Sequence, residues 1–144
     1  MPGRQRKSLA ICSMIFGGVF ERFLKLRVAF AHGGGAFPFT IGRVDHAFRV
    51  RPDVVAAENT TSPRRYLAHD GMPARFYVDS LVHDADALKL LFKLFGAERI
   101  AFGSDYPFSL GETHPGRLID SMKLPEKEKA QLLSGTVREF LRLD

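Results

Sequence analysis

The sequence has one cysteine, Cys12, no tryptophan, and no long hydrophobic run. A lone cysteine excludes an internal disulfide framework and zinc fingers built on cysteine pairs. The most apolar stretch, residues 8–20, is too short to cross a bilayer as a helix. Charged residues follow it directly, at positions 21–27, where the cleavage region of a signal peptide is uncharged. We therefore expect a cytosolic protein that does not bind membranes.

The excess of positive over negative charge is also small outside the first residues. The 144-residue chain has a net charge of +5 and is 45% hydrophobic and 26% charged, as expected for one soluble globular domain. Arg4, Arg6 and Lys7 supply three of the five excess charges, so the rest of the chain is near balance. No RNP motif, helix-turn-helix pattern or paired zinc-finger spacing is present. Binding to nucleic acid is therefore not expected.

The spacing of apolar residues predicts helices that alternate with short strands. Apolar side chains at three- and four-residue steps predict a helix over residues 8–26, weakened by the pair Gly17-Gly18. Asp84 is expected to cap a later helix, which Gly96 ends. The stretch 51–75, rich in turn-forming residues, is expected to be largely loop. The predicted strands are 27–31, 76–81 and 99–103, and the other predicted helices are 37–50, 116–122 and 125–141.

This alternation predicts an α/β fold with a parallel sheet covered by helices. His32, the segment 79–84 and Asp105 each follow one of the predicted strands. The carboxyl ends of parallel strands meet at one edge of a sheet, and α/β folds bind their ligands there. We therefore expect these polar residues to belong to a functional site.

The tetrapeptide His-Gly-Gly-Gly at residues 32–35 has three interpretations. In lipase-like esterases such a loop forms an oxyanion hole, but that use requires a Gly-x-Ser-x-Gly elbow, which this sequence lacks. Exposed glycine N–H groups can also bind phosphate. Alternatively, the glycines form a tight strand-to-helix turn and the histidine is incidental. The residues by themselves leave the last two interpretations open.

Asp105 is a candidate metal ligand, although a single aspartate after a strand is more often a helix cap or a turn residue. Together with His32 it offers a carboxylate and an imidazole, a workable pair for zinc and its activated water. Two ligands do not complete a zinc site. The remaining histidines have neither His-x-His nor His-Glu-x-x-His spacing and are expected to be surface or structural residues: His46, His69, His83 and His114.

Arg43 falls on the predicted helix that follows the first strand. An arginine on a helix is commonly a solvated surface charge. It can also clamp a substrate carboxylate, because the guanidinium group matches a carboxylate in a bidentate geometry. Its spacing alone does not choose between the two.

Taken together, these residues carry a family resemblance. The stretches AHGGGAFPFTIGR (residues 31–43) and FGSDYPF (residues 102–108) closely resemble the 2-amino-3-carboxymuconate-6-semialdehyde decarboxylase family of the amidohydrolase superfamily. The resemblance covers nearly the whole chain from Ser8 onward. Shorter stretches that agree are 12–15, 17–21, 76–79, 81–84 and 110–112.

The resemblance implies a (β/α)8 TIM barrel and a zinc-dependent decarboxylase of tryptophan and kynurenine breakdown, which limits the formation of quinolinate. It implies that Asp105 binds the metal and that His32 acts as acid and base. It further implies that Arg43 reaches the active site of the second subunit of a homodimer and binds a substrate carboxylate. Phe108 is implied as an aromatic residue at the mouth of the pocket for this small-molecule substrate.

The chain also departs from the family. It predicts about three strands rather than eight, and the three zinc-binding histidines of the family have no counterpart. We therefore expect residues 1–7 to be a divergent basic N-terminus and residues 8–144 to be the C-terminal part of a barrel, with two unpaired sheet edges and one uncovered face. Such a chain is expected to be inactive alone. The alternative is a non-catalytic truncated isoform or fragment that associates with a full-length subunit.

Overall fold

Three short parallel strands form the sheet in a computed structural model that describes residues 3–55 and 59–143, with side chains from residue 6 onward. The strands are β1 (Ala29–Phe30), β2 (Tyr77–Asp79) and β3 (Ile100–Ala101), and they lie in the order β1-β2-β3. Ala29 pairs with Tyr77, and Val78 pairs with both Phe30 and Ile100. The predicted parallel sheet is confirmed.

Helices precede, connect and follow the strands. The helices are α1 (Gly3–Phe16), α2 (Val19–Arg22), α3 (Phe37–Val50), α4 (Pro52–Val55), α5 (Ala85–Phe95), α6 (Arg117–Ser121), α7 (Glu126–Ala130) and α8 (Thr136–Leu141). A π-helical turn, Gln131–Gly135, joins α7 to α8, and short 3-10 turns cover His32–Gly34, Pro63–Tyr66 and Ala97–Arg99. In the part of the chain that the structure describes, no helix is both long enough and apolar enough to cross a membrane.

The strands occupy the predicted positions but are shorter than predicted. The stretch 27–31 contributes only two strand residues, and so does 99–103. Among the described residues, β1 and β3 each pair on one side only, because β2 lies between them. β2, which pairs on both sides, is likewise shorter than the predicted stretch 76–81.

The single helix predicted over residues 8–26 is wrong. α1 ends at Phe16, where the Gly17 amide closes onto the Ser13 carbonyl at 2.9 Å and Gly18 adopts a left-handed φ of 63°. α2 then begins in a new direction, so the glycine pair acts as a corner. α1 starts at Gly3 and so runs across the predicted boundary between the divergent N-terminus, residues 1–7, and the barrel part, residues 8–144. That division stays a prediction.

The middle helices agree with the sequence patterns. α3 has the predicted bounds, with Pro38 in its first turn, where the missing N–H costs nothing. The Asp84 carboxylate caps α5 by accepting from the Ala87 amide at 2.8 Å, and Gly96 ends that helix with a φ of 77°. Both end signals of α5 are therefore confirmed.

The loop and the last helices need smaller corrections. The stretch 51–75 is largely loop but contains α4 and one 3-10 turn. The helix predicted over 116–122 is limited to α6, and the one over 125–141 is divided by the π-helical turn. Directly after that turn, the hydroxyl of Thr136, the first residue of α8, donates to the Ala97 carbonyl at 2.9 Å and anchors the start of α8 beside β3.

Phe76, directly before β2, lies at the centre of the core and is fully buried. Its ring lies 5.4 to 6.0 Å, centroid to centroid, from four other aromatic rings. These rings belong to α2, β1, α3 and α5 and are those of Phe20, Phe30, Phe37 and Phe95. One side chain therefore links the sheet to three of the helices that cover it.

The opposite face of the sheet is not bare, contrary to expectation. Tyr77, whose side chain points away from Phe76, is only 6% exposed. The Phe140 ring of α8 packs edge-on against the Tyr77 ring, with 5.1 Å between the ring centroids. The Arg99 guanidinium lies 4.6 Å from the centroid of the Tyr77 ring. The C-terminal helix thus covers part of the face that a closed barrel would turn inward.

A polar network joins the corner after α1 to the loop before β2. Asn59 Nδ2 donates to the Ile15 carbonyl at 2.8 Å and to the Tyr66 hydroxyl at 2.7 Å. The Tyr66 hydroxyl in turn donates to the Glu21 carboxylate. Burial, reinforced by the hydrogen bond to Glu21, raises the pKa of Tyr66 well above its ordinary value. The hydroxyl therefore remains a donor at neutral pH.

Replacing Phe76 with alanine should destabilise the chain severely. The substitution removes the ring that four others contact and leaves a cavity, at a cost of about 3–5 kcal/mol in the free energy of unfolding. Phe23→Ala is the matched control, because Phe23 is 57% exposed and its loss should cost less than about 1 kcal/mol. Urea denaturation followed by circular dichroism measures both, and equal losses would contradict the central role of Phe76.

Candidate active site

His32 lies at the carboxyl end of β1, in the 3-10 turn His32–Gly34. Its backbone has a left-handed φ of 58°, which is uncommon for a residue with a side chain. Its imidazole is half-buried. Strained backbone of this kind persists only where the surroundings hold it, and it occurs preferentially at functional sites.

The three glycines after His32 form a tight turn. Their amides are already engaged: Gly33 donates to the Asp79 carboxylate, Gly34 to the Ala31 carbonyl and Gly35 to the His32 carbonyl. A Cβ on Gly33 would come within 2.8 Å of a Val82 methyl group. The glycines are therefore needed for close packing, and their N–H groups are not available to cradle a phosphate.

Asp105 lies beyond the carboxyl end of β3 and also has a left-handed backbone, with a φ of 57°. Its Oδ1 lies 3.5 Å from His32 Nε2. The two residues are 73 positions apart in the sequence, yet the parallel strands β1 and β3 place both at the carboxyl end of the sheet.

Lys7 adds a positive charge to this pair. Its ammonium group contacts His32 Nδ1. An ammonium group can only donate, so Nδ1 accepts, and the proton of the neutral ring then lies on Nε2. Nε2 is the nitrogen that faces Asp105. The sequence patterns did not reveal this role, because Lys7 falls in the segment regarded as divergent.

Asp79, the last residue of β2, holds the neighbouring loops together. Its Oδ1 accepts from the Gly33 amide at 2.9 Å and from the Leu81 amide at 3.2 Å. On its other side a Cβ on Gly103 would lie only 2.9 Å from the Asp79 Cβ. One carboxylate of the central strand therefore contacts the loops that carry His32 and Asp105. The sequence signals for Asp79 were its place in the polar segment 79–84 and in the stretch 76–79 that agrees with the family.

Further hydrogen bonds connect the loops after β2 and β3. The Ser80 hydroxyl accepts from the Gly103 amide at 3.3 Å. His83 Nε2 lies 2.9 Å from the Leu110 carbonyl, and the Glu112 amide donates to the Ser104 carbonyl at 2.8 Å. Hydrogen bonds therefore hold the loop that contains Asp105 both before and after that residue.

Arg43 and Phe108 lie apart from the His32–Asp105 pair. Arg43 is exposed on α3 and has no charged or hydrogen-bonded partner within the described ranges. Phe108 is 70% exposed in the loop after Asp105. The structure therefore brings together two of the four predicted site residues, and the roles of Arg43 and Phe108 stay predictions.

The described residues do not form a complete metal site. No group of three or more His, Cys, Asp or Glu side chains in residues 6–55 and 59–143 is close enough to hold an ion. His69 and His83 contact backbone carbonyls, His114 contacts Thr113, and His46 is exposed. This agrees with their predicted surface or structural roles. Asp105 and His32 alone offer too few ligands for the four-coordinate site that zinc prefers.

Comparison with known proteins decides the family. The profile of the family described as amidohydrolase matches residues 1–143. The chain belongs to the amidohydrolase family. The proteins named 2-amino-3-carboxymuconate-6-semialdehyde decarboxylase from Dictyostelium discoideum and Caenorhabditis elegans are 56% and 42% identical to this amidohydrolase chain. Each alignment covers 94% of the chain, but only 36% and 32% of the respective relative. The resemblance seen in the sequence is confirmed.

The fold of this amidohydrolase chain is likewise found among solved structures. The 5-carboxyvanillate decarboxylase from Novosphingobium aromaticivorans, solved with bound manganese, superposes with a TM-score of 0.79 at 19% identity. The match covers 94% of this chain and 39% of that protein. The α/β fold, as part of a TIM barrel, is confirmed, and the chain spans about a third of the length of the curated relatives it matches.

Replacing Asp79 with alanine should loosen the turn that carries His32. The Gly33 and Leu81 amides lose their acceptor, which should cost about 1–3 kcal/mol of stability and speed exchange of the Gly33 amide proton. Asp79→Asn keeps one carbonyl oxygen and should retain most of the protection. Amide exchange measured by NMR tests this, with the exposed Asp86→Ala as control. Unchanged Gly33 exchange in Asp79→Ala would refute the role of Asp79.

Proposed function

We propose that this chain supplies the C-terminal part of the active site of a decarboxylase that acts on 2-amino-3-carboxymuconate-6-semialdehyde. The observation that carries the proposal is the approach of His32 Nε2 to Asp105 Oδ1, at 3.5 Å, from two strands that are not neighbours. The relatives that bear this enzyme's name align with almost the whole chain, including both residues' loops.

His32 is the proposed acid and base. Decarboxylation breaks the bond between a carbon atom and its carboxylate, CO2 leaves, and the electron pair left on carbon takes up a proton. The contact with Lys7 leaves the ring proton on Nε2, and the half-exposed imidazole can deliver it at the strand ends. The Asp105 carboxylate and the Lys7 ammonium orient the ring from opposite sides.

Asp105 is the one metal ligand that we assign to this chain, with zinc as the metal of the whole enzyme. The manganese bound to the related 5-carboxyvanillate decarboxylase supports a metal in such proteins. The remaining ligands have to come from outside the described residues, because these contain no cluster that would complete the site. The chain by itself is accordingly proposed to be inactive.

The substrate would place the activity in tryptophan breakdown through kynurenine, in the cytosol, where decarboxylation diverts material from quinolinate. Phe108 is proposed to line the mouth of the pocket, because its ring stands 70% exposed in the loop that follows Asp105.

The exposed face of α3 is the proposed homodimer interface. Phe39 is 86% exposed, and Arg43 lies one helical turn further along the same face. A large apolar side chain beside an unpaired guanidinium is unusual on a free surface and suits a subunit contact. Arg43 would then reach a substrate carboxylate in the other subunit. The same face favours the second candidate function, a non-catalytic fragment that associates with a full-length subunit.

A chimeric enzyme tests the catalytic proposal. This chain replaces the matched C-terminal part of the Dictyostelium decarboxylase, and substrate loss and CO2 release are measured together with zinc content. The parent chimera should be active and bind zinc. His32→Asn should lower kcat by at least about 100-fold with zinc retained, because proton transfer is lost. Asp105→Asn should lower zinc content as well.

The controls of that experiment separate the two roles. His114→Asn removes an exposed histidine and should leave kcat and zinc content unchanged. The 144-residue chain alone should contain much less than one zinc per chain and release no CO2. An active His32→Asn chimera would refute the assignment of His32, and stoichiometric zinc with turnover in the isolated chain would refute its proposed inactivity.

Association with a full-length subunit should depend on Arg43. Sedimentation of the chain mixed with the full-length Dictyostelium enzyme should show a mixed dimer, and Arg43→Glu should weaken it by about tenfold or more through lost pairing and reversed charge. Lys93→Glu, on exposed α5 surface, makes the same change of charge and should have no effect. If both variants associate like the parent chain, α3 is not the interface.

A further inference from the structure

A second cluster of charged residues lies at the amino ends of the strands, opposite the end that carries His32 and Asp105. A cavity of about 600 Å³ opens beside the amino ends of all three strands. Four of the residues that line it are arginines: Arg27, Arg99, Arg138 and Arg142. Among the described residues that line it, Glu139 is the one acidic residue, so the wall they form carries three excess positive charges. No role in decarboxylation accounts for this cluster.

Two of the arginines form a fixed wall. Arg27 Nη1 donates to the Phe140 carbonyl at 3.1 Å and also to the Glu139 carbonyl. Arg99 donates from Nε to the Ala74 carbonyl at 2.7 Å and from Nη1 to the Glu98 carbonyl at 3.0 Å. These contacts hold the guanidinium groups in place. Each group still has N–H donors that form no hydrogen bond with the described residues.

The other two arginines face this wall from α8 and its end. Arg138 and Arg142 are one helical turn apart and exposed, and neither has a hydrogen-bond or charged partner for its guanidinium group in the described part of the chain. Two oriented and two unpaired guanidinium groups therefore converge on one concave surface.

We propose that this cavity binds a small molecule bearing a chain of phosphates. Guanidinium groups match phosphate oxygens in bidentate geometry, and the three excess positive charges of the lining favour an anion that carries several negative charges. The volume is in the range of small-molecule sites, and arginines on two walls fit several phosphates in a row better than a single one. The site does not depend on the proposed decarboxylase activity.

Calorimetric titration of the 144-residue chain with inorganic tripolyphosphate tests the proposal. One molecule should bind per chain at about 0.15 M salt, where nonspecific surface attraction is largely screened. Orthophosphate should bind at least about tenfold more weakly, because it reaches fewer guanidinium groups. Titration with ATP then distinguishes a nucleotide from a bare polyphosphate: tighter binding of ATP would assign the site to a nucleotide.

Charge-matched variants locate the site. Arg138→Glu combined with Arg142→Glu should weaken tripolyphosphate binding by at least about tenfold. Lys123→Glu combined with Lys127→Glu changes the net charge equally at exposed positions outside the cavity and should keep the affinity within about twofold. Circular dichroism verifies that both variants are folded. Absence of tripolyphosphate binding, equal affinity for orthophosphate, or equal losses in the two variants would overturn the proposal.

Discussion

The packing of Phe76 is the interaction on which the rest of the structure depends. Its ring contacts aromatic side chains from α2, β1, α3 and α5, so it fixes how the helices sit on the sheet. Side chains alternate along a strand, so Asp79, three positions later, projects from the other face of β2. Burial of Phe76 therefore also determines where the Asp79 carboxylate lies. The core and the candidate active site therefore meet at β2, which Phe76 directly precedes and Asp79 ends.

The candidate site is shaped by backbone as much as by side chains. His32 and Asp105 both adopt left-handed backbone conformations, which cost energy that hydrogen bonds in the surrounding loops offset. Asp79 holds the turn after β1 through the Gly33 amide, and His83 holds the loop after β3 through the Leu110 carbonyl. As a result, the His32 imidazole and the Asp105 carboxylate lie 3.5 Å apart, although they belong to different loops.

The two ends of the parallel strands differ in chemistry. The carboxyl edge carries His32 and Asp105, which fit proton transfer and metal binding, whereas the amino edge is lined by arginines. Among the described residues, β1 and β3 each have one free side, and the metal ligands are too few for a complete site. Both features are consistent with a chain that spans about a third of its curated relatives.

The sequence by itself determined the α/β order, the bounds of α3, the cap of α5 and the family, because these depend on local spacing and on contiguous motifs. It also singled out His32 and Asp105, since each directly follows a strand. It did not reveal the corner at Gly17-Gly18, the roles of Asp79 and Lys7, or the arginine cavity. These depend on contacts between residues far apart in the chain, which only the parallel register and the packing of α8 bring together.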